Sequence, residues 1–169
     1  MRVTWVSLAA LLWATVVRAE DITVEVQQID TRGSGPTIGR IHVKDGAEGL
    51  ELRPELKNLP AGSHGFHLHE NPDCGPGEKD GKVQAGLAAG NHYDPDHTGK
   101  HLGPTGAGHR GDLPALTVAD DGTATREALI ASRLRAKDLK GRALVIHAEP
   151  DDYGDRPGGA RIACGVIRP

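Results

Sequence analysis

Long apolar segments, cysteines and net charge are all scarce in this sequence. The main apolar run extends from Val3 to Val17, which is short for a membrane-spanning helix. Cys74 and Cys164 are the only cysteines, and they lack the close pair spacing of a thiolate metal site. The formal net charge of −3 at pH 7 gives no reason to expect nucleic acid or an anionic membrane as a partner.

The amino-terminal segment is typical of a secretory signal peptide. Arg2 precedes the apolar run, and the small residue Ala19 follows it, as in signals that are cut after a small residue. We predict that residues 1–19 are removed and that residues 20–169 form one domain without a membrane span. A membrane anchor is the alternative, but it would need a longer apolar run.

Export would place the two cysteines in an oxidising compartment, where one disulfide between them is the natural expectation. Closing so long a loop removes about 4–5 kcal/mol of entropy from the unfolded chain in the loop-closure description. Two independent free thiols are the alternative.

Short apolar segments separated by turn residues indicate an all-β fold. Glycine and proline are abundant, with 23 and 11 residues, and they cluster between these segments. Pro54 predicts that one strand lies at an edge or ends there. About eight short strands with turns between them predict an antiparallel sandwich or barrel. The candidate strands begin near Ile22, Ile41, Leu50, Ser63, Leu116, Leu144 and Ile162.

Residues 71–113 lack hydrophobic periodicity and are dominated by glycine, proline, aspartate and histidine. A stretch of this length inside a compact domain needs something to order it. Seven of the nine histidines lie within residues 64–109, more than solvated loops require. We predict that a disulfide at Cys74 and metal ions bound by histidines order this region.

His67 and His69 form the first candidate metal-binding motif. In a strand, residues two apart point to the same side, so the two imidazoles share one face while Phe66 and Leu68 anchor the other face in the core. Imidazoles fixed on a rigid strand can bind one ion with little further ordering. A pair of ordinary surface histidines is the alternative.

Three histidines and one aspartate in a glycine-rich loop form the second motif. Three imidazoles and a carboxylate suit tetrahedral zinc, and the glycines let the backbone wrap around the ion. A flexible polar loop with incidental histidines would leave unexplained how the loop becomes ordered. The four residues are His92, His101, His109 and Asp112.

Five segments of the sequence resemble signature segments of the copper–zinc superoxide dismutases, specifically the bacterial periplasmic branch. They follow the family's order and are densest from His64 to the carboxyl terminus. The segments are residues 65–70, 90–95, 98–101, 108–114 and 159–167. The resemblance implies an eight-stranded antiparallel Greek-key β-sandwich or barrel with long metal-binding loops. It also implies one copper and one zinc per subunit, a periplasmic location, and either a monomer or a homodimer.

The resemblance further implies a role for each site residue. The implied copper ligands are His67, His69, His92 and His147. The implied zinc ligands are His92, His101, His109 and Asp112, so that His92 bridges the two ions. Asp151 corresponds to a carboxylate that links a copper-ligand histidine to a zinc-ligand histidine, and Arg161 to an arginine beside the copper. Cys74 and Cys164 correspond to the family's disulfide, and His64 to a structural histidine that binds no metal.

The implied activity is dismutation of superoxide to oxygen and hydrogen peroxide by a copper redox cycle, as an antioxidant defence outside the cytoplasm. His92 and Arg161 are the implied catalytic residues, the first as a proton carrier and the second as a cationic fork for the anionic substrate. Imidazole ligands suit a metal that must bind as both Cu(II) and Cu(I), and a carboxylate suits redox-inert zinc. A non-catalytic metal carrier and a zinc-only structural protein are the alternatives.

Some positions depart from the family pattern. Asn91 stands where glycine is expected before the bridging histidine, and Arg110 stands where leucine is commoner. The segment that follows Asp152 is several residues shorter than usual. Because Asp151 and Asp152 are adjacent, either of them could be the linking carboxylate.

Overall fold

The alternating segments form strands throughout the computed structural model, which describes residues 21–125, 127–154 and 158–169. The predicted signal peptide lies outside the described residues. None of the helices within them is long or apolar enough to cross a membrane. The strands are β1 (Ile22–Asp30), β2 (Gly33–Asp45), β3 (Leu50–Leu56), β4 (Gly62–His64), β5 (Phe66–His69), β6 (Gly77–Lys79), β7 (Lys82–Gln84), β8 (Leu116–Val118), β9 (Leu129–Ala131), β10 (Arg142–His147) and β11 (Arg161–Ile167). Two short 3-10 helices span Leu87–Ala89 and Ala136–Leu139.

Seven strands form one antiparallel sheet in the order β5-β10-β11-β1-β2-β3-β9. Only Gly65 separates β4 from β5, so these two strands form one bent strand that also pairs with β8. If β4 and β5 are counted together and the β6–β7 hairpin is set aside, the described chain has eight main strands. Neighbours such as β3 and β9 are far apart in the sequence, as a Greek key requires. The predicted all-β Greek-key architecture is confirmed.

Gly65 allows the bent strand to approach the end of β10. A Cβ at this position would lie 3.0 Å from Cα of Gly158 and 3.4 Å from Cβ of His147, so a side chain would crowd both segments. The Gly65 N–H donates to the carbonyl of Glu149 at 2.8 Å, and the His147 N–H donates to the carbonyl of Gly65 at 2.9 Å. The bend therefore joins β10 and the chain that follows it to β5.

Strand β3 continues through Pro54, which pairs with Ile41 of β2. On the other side of β3, the pairing with β9 involves Leu50, Leu52 and the residue between them. Pro54 lies beyond the residues of β3 that pair with β9. Its missing N–H therefore removes no hydrogen bond from that pairing. Strand β3 continues past Pro54 to Leu56 and lies between β2 and β9 rather than at the edge of the sheet, so both predicted alternatives are wrong.

The core lies between the curled faces of the sheet. Phe66 and Leu68 from β5 are at most 1% exposed, as are Leu144 and Ile146 from β10. Each such side chain contributes roughly 1.5–3 kcal/mol through burial. Because side chains alternate along a strand, this packing fixes the opposite face of β5.

Two loop segments pair with the outer edge of β5, the last strand of the sheet. The Leu68 N–H donates to the carbonyl of Gly111, and the Tyr93 N–H donates to the carbonyl of Leu68, both at 2.8 Å. These segments contain or adjoin His92 and Asp112. Main-chain pairing therefore brings both predicted metal ligands to β5.

The predicted irregular region contains the β6–β7 hairpin and the first 3-10 helix. Cys74 and Cys164 form a disulfide whose Cα atoms are 5.8 Å apart, so the predicted pairing is confirmed and the alternative of free thiols is wrong. The disulfide ties this region to β11, three residues beyond Arg161.

Candidate metal centre

Six histidines and one aspartate meet on one side of the sheet. They form two groups of four residues, and the candidate ligand atoms within each group lie within 4.8 Å of one another. The first group is His67, His69, His92 and His147; the second is His92, His101, His109 and Asp112. Every residue that the sequence nominated as a metal ligand therefore lies in the expected group, and His92 belongs to both.

Rigid strands supply three imidazoles of the first group. His67 and His69 lie on β5 and are 0% exposed, and His147 at the end of β10 is 3% exposed. Strand β10 pairs with β5, which fixes the spacing of these three rings. His92 comes from a loop, but it forms an antiparallel bridge with His69, so its position is also set by main-chain contacts.

Backbone acceptors orient two rings of the first group. His69 donates from Nδ1 to the carbonyl of Gly90, and His147 donates from Nδ1 to the carbonyl of Gly159, both at 3.0 Å. Carbonyl oxygens only accept, so the proton is on Nδ1 and the lone pair is on Nε2. Both Nε2 atoms are buried without a hydrogen-bond partner. They are thus oriented as ligands for a cation.

Asp151 links the two groups. Its Oδ2 accepts a hydrogen bond from Nε2 of His67 at 2.5 Å, and its Oδ1 accepts one from Nε2 of His101 at 2.6 Å. The linking carboxylate is therefore Asp151 and not Asp152. The Nδ1 atoms of His67 and His101 are buried without a hydrogen-bond partner. Hydrogen bonds of this kind fix the orientation of metal-binding imidazoles.

Asp112 directs one oxygen at the three imidazoles of the second group. Its Oδ1 lies 2.9 Å from Nδ1 of His92, 2.8 Å from Nδ1 of His101 and 3.5 Å from Nδ1 of His109. Its Oδ2 accepts two backbone N–H groups of the loop, at 3.2 and 3.3 Å. Nδ1 of His101 and of His109 form no hydrogen bond despite this proximity. The atoms converge on a common point, as the ligands of one cation do.

The donor set fits copper in the first group and zinc in the second. Five buried imidazole nitrogens among the described residues have no hydrogen-bond partner, which is costly unless they bind a cation. Four imidazoles suit an ion that binds as both Cu(I) and Cu(II), and three imidazoles with a carboxylate suit zinc.

Arg161 and His92 line the same surface cavity, whose volume is ≈ 480 Å³. The guanidinium of Arg161 donates to the carbonyl of Gly86 at 2.5 Å and to that of Gly90 at 2.7 Å. Burial lowers the pKa of Arg161, yet arginine stays charged at neutral pH. A cation is thus held in place beside the first group.

The three other histidines of the described chain belong to neither group. His64 is buried between the carbonyls of His147 and Pro60, at 2.7 and 2.8 Å from its ring nitrogens. His97 is exposed, and the side chain of His42 is 43% exposed beside a glutamate.

Two side chains beside the second group have no signal in the sequence. Tyr153 lies so close to Gly103 that a Cβ there would be 2.9 Å from its ring, and its ring centroid is 6.1 Å from that of His101. Its backbone N–H donates to Asp151 at 2.9 Å. Tyr153 thus packs beside Asp151, the residue that links the two groups.

Arg133 is the other side chain without a signal in the sequence. It donates hydrogen bonds to main-chain carbonyls of the loop that carries His109.

A model of the family described as copper/zinc superoxide dismutase (SODC) matches residues 37–167. The chain belongs to the copper/zinc superoxide dismutase family. Superoxide dismutase [Cu-Zn] of Escherichia coli (strain K12) is 47% identical to it over 168 residues, which is 96% of each chain. The same-named protein of Brucella abortus biovar 1 is 41% identical over 172 residues, covering 99% of each chain.

Solved structures of this family share the fold. The Cu/Zn superoxide dismutase from Brucella abortus is similar with a TM-score of 0.85 and 45% identity, over 88% of this chain and 99% of that chain. The monomeric copper, zinc superoxide dismutase from Salmonella enterica has a TM-score of 0.78 and 46% identity, over 88% and 100%. The predicted family and fold are both confirmed.

We expect the metal-free protein to be most stable near pH 6.5. Burial lowers the pKa of His92 to about 4 and that of His147 to about 3. The unfolded chain then binds more protons below pH 6.5, so stability falls as the pH falls. Burial also opposes the charge on His101, but the carboxylates of Asp112 and Asp151 outweigh it and raise the pKa to about 9. That contribution is present below pH 6.5 and is lost as the pH rises toward 9.

Urea unfolding of the metal-free protein between about pH 3 and pH 9 measures how its free energy of unfolding depends on pH. His92 alone should account for roughly 3 kcal/mol of lost stability when the pH falls below its folded pKa. A free energy of unfolding that stays constant over the whole range would contradict the expectation.

Proposed function

We propose that this protein dismutates superoxide: two superoxide ions and two protons give one oxygen and one hydrogen peroxide. The observation that carries the proposal is that His92 belongs to both ligand groups. One imidazole is thereby held between a copper-type and a zinc-type donor set, close to a fixed arginine. This combination favours the enzyme over a metal carrier or a zinc-only structural protein.

His67, His69, His92 and His147 would hold copper, and His92, His101, His109 and Asp112 would hold zinc. Bound copper supplies one-electron redox chemistry between Cu(II) and Cu(I), and bound zinc supplies a fixed positive charge. Asp151 keeps His67 and His101 oriented from their outer nitrogens. Homodimerisation would leave this chemistry unchanged, because every proposed ligand comes from one chain.

His92 is the proposed proton carrier. Its Nδ1 lies 2.9 Å from Asp112, which leaves Nε2 as the atom that faces the first group. The residue is 9% exposed and lines the cavity, so a proton can reach it from solvent. We infer that Nε2 takes up one of the two protons of the reaction and donates it to the reduced oxygen species as hydrogen peroxide forms, while the other proton comes from solvent.

Arg161 is the proposed substrate-attracting residue. The protein carries a net negative charge, which repels a small anion, whereas the guanidinium supplies a local positive field at the cavity. Two carbonyl acceptors hold it in place, so little side-chain freedom is lost when the anion arrives. Its outer N–H groups can donate to the substrate.

Arg161→Glu should lower kcat/KM for superoxide by about tenfold or more and weaken its dependence on ionic strength. Copper and zinc contents should stay unchanged, because Arg161 is not a ligand. Arg40→Glu on β2 is the matched control, since it makes the same charge change at an exposed position. Equal kcat/KM values for the two variants would remove Arg161 from the proposed mechanism.

Copper and zinc analysis of the purified protein, combined with a cyanide-inhibition assay of dismutation, tests the function itself. We expect one copper and one zinc per chain and cyanide-sensitive activity. Copper without activity would indicate a carrier, and zinc without copper would indicate a structural protein. Either result would overturn the proposal.

We also propose that residues 1–19 are a signal peptide and that the mature protein, residues 20–169, is periplasmic. The Cys74–Cys164 disulfide supports export, because disulfides persist in oxidising compartments. The two tryptophans, Trp5 and Trp13, would leave with the signal. The mass of the protein from the periplasmic fraction, and the absence of indole fluorescence, check this. Intact mass in the cytoplasmic fraction would contradict it.

A further inference from the structure

An arginine outside the zinc-site loop (residues 94–111) donates hydrogen bonds to main-chain carbonyls of that loop. Arg133 follows strand β9, and its side chain is 24% exposed. Its Nη1 donates to the carbonyls of Gly106 and His109, at 2.5 and 3.2 Å, and its Nη2 donates to the carbonyl of Gly108 at 2.9 Å. One guanidinium therefore binds three main-chain acceptors within four residues. One of these acceptors belongs to a proposed zinc ligand.

The bound segment needs such support because its own composition favours disorder. The zinc-site loop contains five glycines, which are Gly99, Gly103, Gly106, Gly108 and Gly111, and ordering costs about 1–2 kcal/mol per residue. It forms no strand, and its side chains supply little apolar burial. The loop's own main-chain bonds here are local, with the Gly106 N–H donating to the carbonyl of Gly103 at 3.3 Å and the His109 N–H to that of Lys100 at 2.9 Å, whereas Arg133 ties the loop to the segment after β9.

A second tie closes the same loop on itself. Arg110 donates from Nε and Nη2 to the two carboxylate oxygens of Asp96, both at 2.7 Å. Asp96 precedes His101 and Arg110 follows His109, so the pair spans the segment that carries both. Nη2 of Arg133 lies 3.9 Å from Asp96. The two arginines therefore share one carboxylate, and this accounts for the arginine at position 110.

The two ties differ in strength. Arg110 and Asp96 are 38% and 39% exposed, and an exposed ion pair contributes little. Arg133 is less exposed and donates to three carbonyls, and hydrogen bonds from a charged donor are the stronger kind. Arg133 should therefore carry most of the effect.

We propose that Arg133 is a positioning residue that orders the zinc-site loop before the ion binds, with the Arg110–Asp96 pair as a weaker second tie. The proposal rests on the assignment of His101, His109 and Asp112 as zinc ligands. When the loop is already ordered, less of the free energy of zinc binding is offset by the entropy cost of ordering the loop. Zinc is therefore bound more tightly and released more slowly.

Arg133→Met tests this, because it keeps the apolar stem and removes every donor. We expect zinc to transfer to a chromophoric chelator about 10–100-fold faster than from the wild-type protein. In the metal-free protein, amides of residues 99–111 should exchange hydrogen faster, while those of β10 and β11 should be unaffected. Arg133→Lys should fall between the two, and Arg110→Leu should change zinc transfer by no more than about fivefold. Arg40→Met, on the exposed face of β2, is the matched control and should change neither readout.

Wild-type rates of both zinc transfer and loop exchange in Arg133→Met would overturn the proposal. If Arg133→Met also loses protection in β10 and β11, the comparison moves to Arg133→Lys, and wild-type loop exchange in that variant overturns it instead. If the wild-type protein binds no zinc, the proposed function fails. The exchange measurement needs no metal and still decides whether Arg133 orders the loop.

Discussion

His92→Ala is expected to lower dismutase activity by about 100-fold or more, because the variant loses both a proton carrier and a ligand common to the two groups. His92 lies between the groups, with its ring centroid 4.0 Å from that of His67 and its Nδ1 2.9 Å from Asp112. No other side chain of the described residues belongs to both the four-histidine group and the group with Asp112. We also expect weaker zinc binding, since the second group retains only three donors.

Activity and metal content should be measured on the same preparation of His92→Ala. His42→Ala on β2 is the control, because its side chain is 43% exposed and lies outside both groups; it should retain wild-type activity and metal content. His92→Ala with activity close to wild type would contradict the bridging role.

The double variant Cys74→Ser/Cys164→Ser is expected to lose about 4–5 kcal/mol of stability in the metal-free state, because the disulfide closes a long loop. For a domain of this size, that corresponds to a fall in Tm of roughly 10–20 °C. Activity should fall as well. The disulfide holds the region that supplies the Gly86 and Gly90 carbonyls, and these two carbonyls fix Arg161.

Thermal unfolding of the metal-free proteins measures the loss of stability, and wild-type protein treated with a reductant is the matched comparison. The reduced wild-type protein and the double variant should unfold at similar temperatures. Adding copper and zinc should raise the Tm of the oxidised protein, the reduced protein and the double variant, because ion binding stabilises the folded state. A Tm within about 3 °C of the oxidised wild type would contradict a major role for the disulfide.

Hydrophobic periodicity correctly predicted strand β5 and the direction of the two histidines on it. The alternation around Phe66 and Leu68 placed His67 and His69 on one face, which agrees with strand β5 and with the position of both histidines in the first ligand group. This succeeded because the direction of a side chain in a strand follows from sequence position alone. The loop residues His92, His101, His109 and Asp112 could also be assigned to ligand groups before the structure was known. That assignment came from the family resemblance, because sequence spacing alone does not show which residues share an ion.

The supports of the site could not be predicted from the sequence. Arg133 binds main-chain carbonyls, which every residue has, so no pattern of side chains reveals its partners. Asp151 and Asp152 are neighbours of the same type, and the choice between them depends on backbone direction at the end of β10. Arg110 and Asp96 are 14 residues apart, and their contact depends on how the loop turns.

The pairing of the loops with β5 has a consequence beyond metal binding. A strand at the end of a sheet exposes unpaired N–H and C=O groups, which can recruit a strand from another molecule. In β5 the Leu68 N–H is bound to Gly111, and the Leu68 carbonyl is bound to Tyr93. The metal-bearing loops thus occupy the backbone groups through which two copies could otherwise associate edge to edge, and they protect the protein from aggregation at this end of the sheet.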